Sequence, residues 1–193
     1  VQMQMLYGPL GDRYGKLKVI AWALWAGVAA SVGALLAPGI GWLVGFRAAG
    51  GATAAAIIPL SMAWIGDQIE YERRQATLAR FLVGQMLGVI GGQFVGGAFA
   101  DSVGWRWTFG FLALTYALAA LMLSARVARL PSSRIGGSWL GFARRIASIA
   151  ALGWPRVILA TVFIEGVAVF GALAFIPSHL HQRYGVALTW AGL

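Results

Sequence analysis

With 193 residues, 60% of them hydrophobic and only 11% charged, the chain lies outside the composition of water-soluble domains, in which about a quarter of residues are charged. The absence of cysteine excludes a disulfide scaffold and a thiolate metal site, and two histidines, His179 and His181, are too few to suggest a metal centre. The net charge of +9 does not describe a nucleic-acid-binding face, because Lys and Arg stand between apolar runs, clustered at alternate gaps, as membrane topology is encoded.

A bilayer core is crossed by about 20 apolar residues of helix. On that measure residues 1–7 are the tail of one helix, followed by a polar turn at 8–18. The first complete span is 19–37, ending at Pro38 and Gly39, and the second is 40–64, carrying Arg47. A charged loop is expected at 67–80, a third span at 81–100, a short loop at 101–107 and a fourth span at 107–124. A long basic segment, 126–156, precedes a fifth span at 157–176 that Pro177 is expected to break. The fold class is therefore all-α and polytopic, with about five full transmembrane helices and two partial ones. Val1 stands in an apolar run and residues 189–193 read like a helix beginning, so a fragment of a longer chain is expected.

Charge sets the orientation. The loops 8–18, 67–80 and 126–156 hold Arg13, Lys16, Lys18, Arg73, Arg74, Arg80, Arg126, Arg129, Arg134, Arg144, Arg145 and Arg156. The opposite loops hold only Arg106 and Arg183, so the first set is read as cytoplasmic. Trp105, Trp107 and Trp190 mark the outer boundary, and Trp139 and Trp154 the inner one. Within 126–156, Trp139, Leu140, Phe142, Ile146 and Ile149 interleave with Arg144, Arg145 and Ser148. This pattern fits an amphipathic helix on the inner face, or an ordinary basic loop.

The most specific stretch is residues 8–16, GPLGDRYGK. It resembles the signature Gly-x-Leu-Ala-Asp-Arg-x-Gly-Arg-Lys that the major facilitator superfamily carries between its second and third helices. Gly8, Leu10, Asp12, Arg13 and Gly15 match, Lys16 is a conservative change, and Leu17 departs from the second basic position. The resemblance implies that Asp12 faces the N-terminus of a helix in a second bundle, where the helix dipole favours a carboxylate. Lys16 is expected to pair with Asp67 at the inner end of the second span. These contacts would hold one conformation of a rocking transporter.

Other positions extend the resemblance. Arg47 lies inside an apolar span, where a charge costs on the order of 3 kcal/mol or more and needs a cavity, a partner or a route to the surface by snorkelling. Arg47 and Gly51 match an Arg-x-x-x-Gly motif that the family links to proton coupling, with Thr53 replacing a usual glycine. Glu165 is the acid within the fifth span, suited to carry a proton or to hydrogen-bond a neighbouring helix. Gly84, Gly88, Gly92 and Gly96, with Gly91 and Gly97, form a ladder in the third span. Each glycine would cost a water-exposed helix about 1 kcal/mol, but in lipid such a stripe admits a second backbone at close range. Gly88, Gly92, Gly96 and Gly97 align with the family's fifth-helix antiporter motif, although Gln93 stands where that motif has proline. Gln85 and Gln93 share a face beside the ladder and would line a substrate path or bind helices together. His179 and His181 are interface residues, with a pH-sensing role as the alternative.

The resemblance covers nearly the whole chain, from the end of helix two to the start of helix eight of a twelve-helix transporter. It assigns residues 1–125 to the N-terminal bundle, 126–156 to the cytoplasmic linker and 157–193 to the start of the C-terminal bundle. It implies secondary transport of a small molecule by alternating access, with proton-coupled efflux as the expected direction, no cofactor beyond the proton gradient and no enzymatic activity. Symport or uniport uptake, or a truncated fragment that transports nothing, are the alternatives. A monomer, when full length, in a bacterial inner (plasma) membrane is the expected setting. No Gly-x-x-x-x-Gly-Lys-Ser/Thr loop is present to support ATP drive in this chain.

Overall fold

The computed structural model describes residues 2–128 and 153–191, and these form helices joined by short turns. In order they are α1 (Gln2–Tyr14), α2 (Lys16–Leu35), α3 (Ile40–Gln68), α4 (Tyr71–Ser102), α5 (Arg106–Val127), α6 (Gly153–Tyr184) and the short α7 (Leu188–Ala191). Among the described residues, five helices are long and apolar enough to cross a membrane. They are α2, α3, α4, α5 and the 160–184 part of α6, in agreement with the five spans read from the sequence. The chain is an all-helical, multi-pass membrane protein.

The packing centre is α2. Its Val19, Ile20, Ala23 and Leu24 bury against Ala56 and Leu60 of α3 and Ala120 of α5. Lipid tails are as apolar as leucine, so helices in a membrane associate through close van der Waals contact rather than through escape from water. Alanines at the contact allow that approach: Ala56 and Ala120 are fully buried. Elsewhere on α2, Trp22 and Trp25 are exposed. Two polar bonds tie the group together: Tyr7 Oη donates to the Ala52 carbonyl at 3.1 Å, and Trp25 Nε1 donates to Ser124 Oγ at 3.3 Å.

The turns are shorter than the sequence suggests. In place of a polar turn over 8–18, α1 continues to Tyr14 and Gly15 alone reverses the chain, with φ of 92°. Its N–H donates to the Gly11 carbonyl, and its own carbonyl accepts from Lys18 and Val19. The charged loop expected at 67–80 shrinks to Ile69 and Glu70, because α3 reaches Gln68 and α4 starts at Tyr71. At 1.5 Å per residue the 32 residues of α4 extend roughly 48 Å, well beyond a hydrocarbon core of about 30 Å. Its charged first turns therefore stay helical outside the apolar slab. Pro177 does not break the fifth span either: α6 runs on to Tyr184. A proline removes one backbone donor, and a membrane helix tolerates that loss where the neighbouring turns hold. The linker expected at 126–156 lies mostly outside the described residues; α5 takes up its first residues and α6 its last.

Candidate substrate cavity

A half-open cavity of about 260 Å³ lies between α2, α3 and α5. Each helix presents one face to it: Ala30, Ser31 and Ala34 from α2; Phe46, Arg47, Gly50, Gly51 and Ala54 from α3; Phe109, Leu112 and Tyr116 from α5. These residues recur at helical spacing, three to four apart, so each set shares a stripe. Small residues on α2 and α3 leave the room, and aromatic rings on α3 and α5 wall it. Phe46 lies against Gly33, where a Cβ would strike its ring, and stacks with Trp42 at 6.2 Å. The Tyr116 ring lies over Gly27, between the cavity and the α2–α3–α5 core.

Arg47 is the charged residue of this lining. Its guanidinium carbon sits 5.7 Å from the Phe109 ring centre, a cation–π contact. No carboxylate pairs with Arg47 among the described residues. Glu165, the other residue read as a coupling group, is exposed on α6, which among the described elements packs against α7 and not against α3. The structure therefore does not bring Arg47 and Glu165 together.

At the Lys16 end, Lys16 Nζ forms an ion pair with Asp67 Oδ2, tying the start of α2 to the end of α3. Leu10 of the same motif packs on the core, and Gly11 lies against Leu60. Gly8, Asp12 and Arg13 face outward, with Arg13 over the Tyr14 ring. On α4, Gly84, Gly88, Gly91 and Gly92 meet no described residue, while Gly96 approaches Thr108 of α5. Gly97 is where the ladder meets a second backbone: a Cβ there would overlap the Leu188 and Thr189 main chain. Gln85 and Gln93 lie on α4, away from the cavity beside Arg47, and do not line it.

Two features escaped the sequence. The cavity walls Phe109 and Tyr116 repeat at i and i+7 on α5, a spacing indistinguishable from an ordinary packing stripe. The other is Asp101, past the apolar run of α4. Its carboxylate accepts from the Thr189 N–H at 2.8 Å, the Thr189 hydroxyl at 2.7 Å and the Leu188 N–H at 3.3 Å. It caps α7 from a distant part of the chain, and the Thr189 bonds hold its carboxyl below the usual aspartate range. His181 stands nearby, its Nδ1 2.9 Å from the Val186 carbonyl.

The sequence model of the Major Facilitator Superfamily matches residues 2–193. The chain belongs to this superfamily. Members are transporters, not enzymes, and the helical membrane bundle found here is their architecture. The multidrug export protein EmrB of Escherichia coli (strain K12) is 24% identical, over 97% of this chain and 47% of that protein. An uncharacterized MFS-type transporter of Mycobacterium tuberculosis is 29% identical, over 71% of this chain and 24% of its own length. The efflux pump FUB11 of Gibberella fujikuroi is 29% identical over 56% of this chain and 19% of its own. The chain thus spans about half or less of the length of the curated relatives it matches. No solved structure matches it significantly.

Proposed function

We propose that the chain is part of a secondary transporter that exports a small molecule by alternating access, driven by the proton gradient across a plasma membrane. The observation that carries this reading is the permanently charged Arg47 at a half-open cavity inside a membrane-spanning helix. A charge in that position is expensive and marks a substrate or ion path by default. The efflux proteins among the relatives favour export, and the charge asymmetry of the loops puts the Lys16 end in the cytoplasm. Glu165 on α6 and Arg47 on α3 serve as two separate proton-coupling groups along the path. The Lys16–Asp67 pair, which joins the start of α2 to the end of α3, helps to hold one conformation of the rocking transporter. The working unit is the full-length monomer.

The test uses full-length protein in liposomes loaded with a pH-sensitive dye. Adding a panel of lipophilic dyes and aromatic acids should drive proton movement opposite to substrate flux. Glu165→Gln and Arg47→Ala should each remove it. Unchanged coupling in both variants would discard the proton roles. Substrate and proton moving in the same direction would replace export with uptake.

A further inference from the structure

We propose that the cavity between α2, α3 and α5 recognises the anionic head of the cargo, a flat aromatic carboxylate that sets its charge on Arg47 and its ring among Phe46, Phe109 and Tyr116. This deepens the transport reading and rests on it, since it names the class of molecule carried.

The charge argument comes first. Arginine stays protonated in proteins, so the cavity is cationic at every physiological pH. Its lining holds no carboxylate, and none reaches Arg47 from elsewhere among the described residues. Arg47 is exposed on a membrane-spanning helix, where a charge is costly, and an anion entering the cavity can pair with it. Arginine's planar fork of donors matches the two oxygens of a carboxylate. A cationic guest would meet repulsion from Arg47 and would find the Phe109 face already engaged by that guanidinium.

Shape and chemistry narrow the class. The ring walls favour a flat unsaturated body, because aromatic faces reward offset or edge-on stacking. Ser31 and Tyr116 add hydroxyls at the same lining, each able to donate to an anion. At about 260 Å³ the space falls just below the range of roughly 300–1,000 Å³ typical of drug-sized sites. It holds the acidic head of a ligand with a ring or two, not a large amphiphile.

The test is equilibrium binding of radiolabelled 2-naphthoate to the purified full-length transporter, with 2-naphthamide and 2-naphthylmethylammonium as competitors of the same shape. Saturable naphthoate binding is expected, with the neutral and cationic analogues weaker by about tenfold or more, as the loss of a charge-assisted hydrogen bond implies. Arg47→Gln should abolish binding and Arg47→Lys should keep a reduced affinity. The analogue series on unmodified protein decides the matter even where the Gln variant does not fold. Equal or tighter binding of the cation, or naphthoate binding unaffected by Arg47→Gln, overturns the anion site. Proton-coupled flux of cationic dyes, without naphthoate binding, would overturn this inference alone. Naphthoate binding without any substrate flux would instead overturn the transport reading.

Discussion

Arg47 and the Lys16–Asp67 pair illustrate how differently two charges can act in one small bundle. Lys16 is largely covered and Asp67 about half exposed, so the pair faces water on one side and its contribution to stability is modest. A double-mutant cycle on Lys16→Ala and Asp67→Ala, read by thermal unfolding in detergent, should give a coupling energy of about 0.2–1 kcal/mol. If the pair serves conformational control, either single substitution should lower transport far more than that coupling suggests, and the swap Lys16→Asp with Asp67→Lys should restore part of it. Transport that tracks stability alone would reduce the pair to a strut. Both groups were legible in the sequence for one reason: charge next to or inside an apolar run must be accounted for. Phe109 and Tyr116 were not legible, because an aromatic residue in an apolar run needs no explanation. Only the fold shows that they share a cavity with Arg47.

At the level of the elements, the positions of the helices followed from apolar run length, while their ends did not. Polar residues at 8–14 and 71–80 read as loops, yet they continue α1 and α4, because a helix need not stop where the bilayer stops. The close α2–α3–α5 packing depends on side chains no larger than methyl at its tightest points. Ala120→Leu should therefore destabilise the bundle by about 1–3 kcal/mol through overpacking, seen as a lower midpoint in a thermal-shift assay. An unchanged midpoint would place Ala120 outside the core. The Asp101–Thr189 cap, 88 residues apart in sequence, could not be read locally. Thr189 lowers the Asp101 carboxyl below its ordinary value, so the cap is fully present above the usual aspartate range and is lost as pH falls through the lowered value. Hydrogen exchange at the Leu188 and Thr189 amides should be faster in Asp101→Ala than in the parent at neutral pH. That difference should vanish in strong acid; a difference that persists there would assign the protection to another group.

For the whole molecule, the glycine ladder links the two parts of the chain. Its Gly97 end admits the main chain at Leu188 and Thr189, while Gly84 to Gly92 meet nothing among the described residues. The sequence indicated a stripe built for close approach; the fold adds that its first contact is at the Asp101 end, beside the cap on α7. In a transporter that rocks, this end must open when the Lys16 end closes. The direct measurement is the distance distribution between spin labels at Val103, past the end of α4, and Tyr184, at the end of α6, both exposed, in the full-length protein reconstituted in lipid. Alternating access predicts two distances, with populations that shift between neutral and acidic pH and on adding a transported substrate. A single distance unmoved by either would contradict it.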